Sequence, residues 1–298
     1  MTTRRDAEGA LEFELLAPAK LNLFLEVLGK RPDGYHEIES LMARVNLCDR
    51  LTFADDPSGR ISLSCDDPEL PLDSANLVVR AAERLRRESG TARGARIELF
   101  KSIPARAGLA GGSSDAATTL IALDRLWNLQ TPPGRLEALA GEIGSDVAFF
   151  LHPPAAICRG RGERTTALKP PRTLFFVLIC PPVGVSTAEV YRRLNVPERP
   201  RPIGPIVAAF ESGDVEALGS LFFNRLQPAA EAIEPSLSRI DQALATLCPT
   251  LLLGHQMSGS GSAYFGLGRD LEAAQAAAQS LRSLGMGRVQ VVACDSAR

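Results

Sequence analysis

Pro104-Ala105-Arg106-Ala107-Gly108-Leu109-Ala110-Gly111-Gly112-Ser113-Ser114-Asp115 is the stretch of this 298-residue chain that decides its fold. Ahead of it, Ala95 to Phe100 alternates in the manner of a strand. Behind it, a helical pattern runs from about Ser114 to Trp127. The glycines let backbone N–H groups turn inward and let a bulky anion approach with no Cβ in the way. The helix that starts here offers free N–H groups and the positive end of its dipole. Ser113 and Ser114 add hydroxyl donors. Strand, loop and helix together predict a polyphosphate site. A P-loop does not fit, because it requires Lys immediately before the Ser, and Gly112 stands there. A dinucleotide fingerprint does not fit either, because its glycine spacing is absent. The plain alternative is a glycine-rich turn with a serine cap, and the whole pattern between strand and helix weighs against it.

Upstream, Leu21, Leu23 and Leu25 share one face of a strand, while Lys20, Asn22, Phe24 and Glu26 share the other. Pro32-Asp33-Gly34 is a turn signal between two extended stretches and predicts a hairpin. Ser74 to Glu88 reads as a helix stopped by Gly90. Downstream, helical patterns recur at 134–142, 187–194 and through most of 205–246. The tail reads strand near 263–267, helix 270–283 and strand 287–293, a βαβ unit. Residues 1–14 read as a disordered leader, being polar and without pattern at the start. Lys169-Pro170-Pro171-Arg172 marks the expected boundary between a domain at 15–168 and another at 169–298. Strands mixed with segregated helices predict an α+β architecture.

Charge and composition exclude several classes. A net charge of −2 leaves no basic surplus for non-specific nucleic-acid binding. The six cysteines form no C-x-x-C pair and the three histidines no metal spacing, so neither a disulfide framework nor a metal framework is expected. The longest strongly apolar run, Leu174 to Cys180, ends at Pro181-Pro182, far short of a bilayer span. No secretory h-region follows the basic N-terminus. The expectation is a cytoplasmic protein that avoids membranes and nucleic acid, as a monomer or a homodimer.

Three blocks then line up in order: Pro18-Ala19-Lys20-Leu21-Asn22, Gly108 to Ala117, and Ser258-Gly259-Ser260-Gly261-Ser262-Ala263-Tyr264-Phe265-Gly266. Together they resemble the GHMP kinases, and the likeness runs from about residue 15 to the last strand. Two further blocks, Arg31 to Ile38 around Gly34-Tyr35-His36, and Gly144-Ser145-Asp146-Val147, are similar to GHMP members of the non-mevalonate route to isoprenoid precursors. The resemblance implies a two-domain α+β GHMP kinase fold with its active site in the inter-domain cleft. It implies ATP as donor, with Mg²⁺ expected but its protein ligands unknown. The acceptor implied is a hydroxyl of 4-diphosphocytidyl-2-C-methyl-D-erythritol, giving the 2-phosphate, so the small-molecule partner carries a cytidine diphosphate group. The family pattern departs at Ala148, where Pro is usual, and at Ser258, where Thr is usual.

Carried over residue by residue, the likeness makes Lys20 and Asp146 the catalytic pair, with Lys20 lowering the pKa of Asp146. It makes Pro104, Ala105, Arg106, Ala107, Gly108, Leu109, Ala110, Gly111, Gly112, Ser113 and Ser114 the ATP loop. Asn76 falls on the adenine side, and Asn22, Tyr35, His36 and Tyr191 on the acceptor side. Gly259 and Gly261 close on the phosphates. Each residue has a plainer reading: a solvated lysine on a half-exposed sheet, a turn aspartate, a helix-terminal asparagine, an aromatic closing a hairpin. The rivals in function are a mevalonate- or homoserine-type GHMP kinase and a non-catalytic metabolite-binding protein of the same fold. The Asp-Gly-Tyr-His block speaks against the first, and the presence of both Lys20 and Asp146 against the second.

Overall fold

The structure, a computed structural model, describes residues 2–5, 11–152 and 154–296. In chain order its strands and helices begin with β1 (Thr2–Arg5), β2 (Leu11–Lys30), β3 (His36–Asp56), β4 (Ile61–Cys65), α1 (Leu77–Ser89), β5 (Gly94–Phe100), α2 (Gly111–Leu126) and α3 (Pro133–Ile143). A short 3₁₀ turn, Ala148–Leu151, leads to β6 (Ala155–Gly160), β7 (Arg164–Leu168), β8 (Leu174–Cys180), α4 (Thr187–Arg193), α5 (Gly204–Ser212) and α6 (Val215–Ser220). The chain ends with β9 (Phe223–Asn224), α7 (Gln227–Ile233), α8 (Ser236–Ala245), β10 (Leu252–Met257), β11 (Tyr264–Gly268), α9 (Leu271–Arg282) and β12 (Arg288–Cys294). No helix among the described residues is long and apolar enough to cross a membrane.

These elements form two compact units that interleave in sequence. The first gathers the residues up to Ala19 with Leu47–Ile103 and Ala110–His152; the second gathers Lys20–Asn46, Pro104–Leu109 and the residues after His152. The expected cut near residue 168 is therefore not where the units divide. Ladder bonds decide the matter: β6 pairs antiparallel with Ile38–Ala43 of β3 and with β7, which commits 155–168 to the second unit. The Pro-Pro signal marks only the link from β7 to β8.

In the first unit, β5 pairs antiparallel with Arg50–Asp56 of β3 and parallel with β4, and α1 makes the β4-to-β5 crossover. Helix α1 buries Val78, Val79, Ala81, Ala82 and Leu85 along one stripe, and Gly90 ends it in the left-handed region at φ 68°. Helix α2 is buried from Ser114 to Leu120, as befits a central helix. The leader expected to be disordered to residue 14 is partly a strand: β1 runs antiparallel to β2, with Thr2 opposite Glu14 and Arg5 opposite Leu11. The alternating start of β2 offers an edge whose backbone groups the first residues satisfy. Residues 1 and 6–10 of that leader lie outside the described residues.

In the second unit, an antiparallel sheet in the order β10-β11-β8-β12 carries the core. Strand β8 is interior and reads almost continuously apolar because both of its faces are covered. Strands β11 and β12 both run antiparallel to β8 and flank it, so the expected βαβ unit is split by one strand. Leu237, Ile240 and Leu244 of α8 and Ala277, Ala278 and Leu281 of α9 join Val177, Ile179 and Tyr264 in one apolar cluster.

The polar face of β2 is not solvated. Lys20 is 2% exposed, and Asn22 and Glu26 are as deeply buried. Glu26 forms two bonds with the Arg225 guanidinium at 2.7 and 2.8 Å and accepts from the N–H groups of Val27 and Arg201 at 2.8 and 2.9 Å. Burial alone would raise its carboxyl, but Arg225 and the two N–H donors hold it below the ordinary value. Strand β9 lies parallel to β2 here, with Phe223 opposite Phe24, so this pair fixes the strand that carries Lys20.

Arg225→Met should cost about 3–5 kcal/mol at neutral pH, the range for stranding one member of a buried pair. Because the Glu26 carboxyl is depressed, its stabilisation is present above the unfolded value of about 4.3 and is lost as pH falls through the lower folded value. Urea unfolding at pH 7 and pH 3 checks this. The gap between parent and variant should narrow in acid, and a constant gap would show that the ion pair contributes nothing.

Candidate active site

Within the second unit, three separate sequence blocks meet on one ammonium group. Lys20 Nζ donates to the Gly108 carbonyl at 2.6 Å and to Asn22 Oδ1. Asn22 Nδ2 donates to Ser40 Oγ at 2.8 Å, and Ser40 Oγ donates to the Phe24 carbonyl at 2.6 Å. Ser258 Oγ donates to Gly108 O at 3.0 Å and accepts from Asn22 N at 3.3 Å. Gln256 Nε2 donates to Asn22 O, and Asn224 Nδ2 donates to the carbonyls of Met257 and Gly259 at 2.7 and 2.8 Å. The loop residues Ala107 and Leu109 accept backbone bonds from Ala263 and Lys20.

Close approach explains two of the glycines. Gly108 has φ 75°, and a Cβ there would sit 2.0 Å from Ser258 O. Gly259 has φ 57°, and its Cβ would sit 3.0 Å from Lys20 Nζ. Ser258, where the family pattern has Thr, keeps the hydroxyl that the contact uses. The plainer reading of Lys20, a solvated lysine on a half-exposed sheet, does not hold: the side chain is buried, with the Gly108 carbonyl and the Asn22 amide on its ammonium.

In the first unit, the loop continues into α2. Ala110 precedes it in the left-handed region at φ 56°, and Ser114 N–H is the first to bond within the helix, to Ala110 O at 3.0 Å. The N–H groups of Gly111, Gly112 and Ser113 lie ahead of that bond, as a helix N-terminus requires. Gly112 is exposed, and a Cβ there would meet only Leu77, at 3.8 Å. Ser114 Oγ and Asp115 Oδ1 are buried without a hydrogen-bond partner. Unsatisfied buried donors and acceptors are costly, so this helix terminus is built to receive polar oxygens or a cation.

Gly111 has another task. Its φ is not positive, and a Cβ there would press on Ile103 Cγ2 at 3.1 Å and Asp49 Oδ2 at 3.2 Å. A side chain is therefore excluded at Gly111 by packing, whereas the space beside Gly112 is open. Asp49, fully buried, accepts from Ser102 N and Ile103 N at 2.6 and 2.8 Å and pairs with Lys101, whose Nζ also reaches Asp115 Oδ2 at 2.8 Å. Burial, with Asp49 adding to it against the pull of Lys101, pushes the Asp115 carboxyl up to about 7. Asp49 and Lys101 were not legible as site residues: 52 positions separate them in sequence, and no local pattern marks their meeting.

The acceptor-side aromatics come together in part. The His36 and Tyr191 rings stack with centroids 4.9 Å apart. Burial, then Lys30, lowers the His36 pKa, which keeps the ring neutral. Tyr35 is 53% exposed on the hairpin turn, with the Arg161 guanidinium 4.9 Å over its ring. Thr187 lies one helical turn from Tyr191 on α4, and its Oγ1 bonds Ser260 Oγ at 2.7 Å. That bond ties the aromatic pair to the same glycine-rich turn that lies against Lys20.

Asp146 sits in the turn after α3, half-buried, beside the buried Val147, Phe149 and Phe150. Val147 N bonds Gly144 O at 3.2 Å, so the turn is closed by backbone with Ala148 in place of Pro. Asn76 caps α1: its Oδ1 accepts from Val78 N at 3.0 Å and its Nδ2 donates to Pro71 O at 2.8 Å. Its amide thus fills the helix-terminal role that is its plainer reading. Among the described residues no group of three or more His, Cys, Asp or Glu side chains could hold a metal ion.

Comparison with known proteins adds the following. The GHMP kinases N terminal domain matches residues 76–153, and the GHMP kinases C terminal domain matches residues 206–285. The 4-diphosphocytidyl-2-C-methyl-D-erythritol kinase of Pelotomaculum thermopropionicum is 45% identical over 269 residues, covering 90% of this chain and 93% of that protein. A crystal structure of 4-(cytidine 5'-diphospho)-2C-methyl-D-erythritol kinase superposes with a TM-score of 0.79 at 37% identity, covering 96% of this chain and 100% of that one. A homoserine kinase from Cytophaga hutchinsonii superposes with a TM-score of 0.77 at 22% identity, covering 96% and 95% of the two chains, which shows a shared fold.

The two loop glycines should separate experimentally. Gly112→Ala should melt like the parent but bind an ATP analogue more weakly, because its new methyl group faces open space at the helix terminus. Gly111→Val should lower the melting temperature, because its side chain presses on Ile103 and Asp49. Scanning calorimetry and titration calorimetry check the pair; a destabilised Gly112→Ala with normal nucleotide affinity would reverse the assignment.

Proposed function

We propose, for a chain that belongs to the GHMP kinase family and is an ATP-dependent small-molecule kinase, that it phosphorylates the 2-hydroxyl of 4-diphosphocytidyl-2-C-methyl-D-erythritol. The observation that carries this reading is the path from Lys20 by hydrogen bonds through Gly108 to Ser258, along the turn to Ser260, and by a further bond to Thr187, one helical turn from the His36–Tyr191 stack. It joins a phosphate-directed cation to an aromatic surface of the kind that takes up a base. The lower-identity homoserine kinase shares the fold, whereas the relatives at 37% and 45% identity bear names with the cytidine-linked acceptor.

In this mechanism Asp146 orients the acceptor hydroxyl and takes its proton as the oxygen forms its bond to the γ-phosphorus and the bond to the leaving β-phosphate oxygen breaks. Lys20, held in place by Gly108 O and Asn22 Oδ1, stabilises the charge that develops on the transferred group. Asn22 faces the same side of β2 and is placed for the acceptor's hydroxyls. The N–H groups of Gly111, Gly112 and Ser113 bind the ATP phosphates, with Pro104 to Ala110 shaping the approach to them. Mg²⁺ neutralises the β- and γ-phosphates when bound. The orphaned Ser114 hydroxyl and Asp115 oxygen fit a cation brought in with the nucleotide. Tyr35 and Arg161 flank the base, and His36, kept neutral, offers it a ring nitrogen. The enzyme so described works in the cytoplasm on small molecules alone.

An ADP-release assay with the cytidine-linked methylerythritol, mevalonate and homoserine tests the acceptor: only the first should turn over efficiently, and a preference for either of the others would overturn the substrate assignment. Asp146→Asn should keep nucleotide affinity and lose about two to four orders of magnitude in kcat, the span for removing a general base. Tyr191→Ala should raise KM for the cytidine-linked acceptor by about ten- to a hundredfold while KM for ATP stays level, if stacking on a base is worth ~1–3 kcal/mol. Equal changes in both KM values would show that Tyr191 supports the fold and does not touch the acceptor.

A further inference from the structure

We propose that Cys248 is an activated thiol, a modification site at which this protein exchanges with low-molecular-weight disulfides, set up by an imidazole held between the thiol and a carboxylate. Cys248 follows helix α8, Asp241 lies on α8, and His255 lies on β10. The Cys248 sulfur is 3.6 Å from His255 Nδ1, and His255 Nε2 is 3.3 Å from Asp241 Oδ1. None of the three belongs to the kinase machinery described above. The thiol and the ring are each half-buried, so a small reagent can reach them.

The arrangement has the logic of a nucleophile, a base and an orienting group. Asp241 accepts from the N–H on Nε2, which leaves the Nδ1 lone pair facing the sulfur. Gln227 Nε2 donates to the same Asp241 oxygen at 2.9 Å and fixes the carboxylate in turn. Gln227 Nε2 also donates to Glu231 of α7 at 2.8 Å, and Gly266 of β11 lies opposite His255 in the ladder. The imidazole lies between thiol and carboxylate and uses one ring nitrogen for each. Three donors converging on a point would suggest a metal, but no such group exists among the described residues.

Electrostatics agree with the geometry. Burial alone would lower the His255 pKa, but its bonds to Asp241 and Cys248 push it up to about 9, so the neutral ring is a strong enough base to take the Cys248 proton on Nδ1 and hold it as imidazolium at neutral pH. Burial pushes four of the other thiols up: Cys48 and Cys180 to about 11, Cys294 to about 12, and Cys65 upward. In the exchange the Cys248 proton passes to His255 Nδ1. The sulfur then attacks one sulfur of the disulfide, a new S–S bond forms as the old one breaks, and the departing thiolate takes a proton to leave as a free thiol.

The test treats the full chain at neutral pH with glutathione disulfide and follows each cysteine by peptide mass spectrometry. Cys248 should gain the glutathione mass about tenfold faster than Cys65, the half-buried thiol without an imidazole, since an ordinary thiol with a pKa of about 8.5 is only a minor fraction thiolate at that pH. That comparison needs no substitution. His255→Gln, its fold checked by retained kinase activity, should bring the Cys248 rate down to that of Cys65. A Cys248 rate no greater than that of Cys65, or one that His255→Gln leaves unchanged, overturns the proposal.

Discussion

The ammonium group of Lys20, bonded to the carbonyl of Gly108 and the side chain of Asn22, is the interaction on which the site depends. A buried cation must be surrounded by acceptors or it is expelled or neutralised. Meeting that demand draws together a strand near the start of the chain, the tip of the glycine-rich loop and a turn some 240 residues further on. Ser258 completes the ring by bonding both Gly108 and Asn22. Two left-handed glycines are the steric consequence: a Cβ at Gly108 would overlap Ser258 O, and one at Gly259 would crowd Lys20 Nζ and Gly108 O. The ammonium therefore organises the resting site, and the proposed mechanism uses the same charge in phosphoryl transfer.

The helix terminus follows a complementary logic. Asp49 and Lys101 fix the entry of the loop by satisfying Ser102 N, Ile103 N and Asp115. The N–H groups of Gly111, Gly112 and Ser113 lie ahead of the first bond of the helix, and the Ser114 hydroxyl is buried without a partner. A protein tolerates buried polar groups without partners where a ligand will supply them. The terminus is rigid below, where Gly111 packs on Ile103, and open above, where Gly112 faces solvent. That contrast assigns different tasks to adjacent residues of the same type.

Much of this was legible in the sequence, for identifiable reasons. The period-two pattern of Leu21, Leu23 and Leu25, the strand–loop–helix around Gly108 and the tail from Tyr264 to Cys294 are local signals, and each became the expected element. What could not be read is what distant segments do to a local pattern. Alternation put Lys20 on a polar face, but strands and turns cover that face too, so the lysine is buried. Asn76 has a side chain suited to ligands and to caps alike, and the start of α1 claims it. The compact units cut across the Pro-Pro signal at 170–171 because β6 is bonded to β3, a pairing across more than a hundred residues. The role of Gly111 depended on Asp49, which nothing nearby in sequence announces.

The central claim is that Lys20 is a cation poised for the transferred phosphoryl group and that the fold can do without its charge. Lys20→Met tests it, because methionine fills a similar volume and the loss of a donor to Gly108 O and Asn22 Oδ1 costs only about 1–3 kcal/mol, well short of unfolding a chain of this size. The decisive measurement is kcat for the cytidine-linked acceptor, taken alongside the thermal melt. The account predicts a single cooperative transition, somewhat below that of the parent, and a kcat lower by about a hundred- to a thousandfold, the scale of losing one preorganised electrostatic contact in the transition state. An unchanged kcat, or a chain that no longer folds, would contradict it.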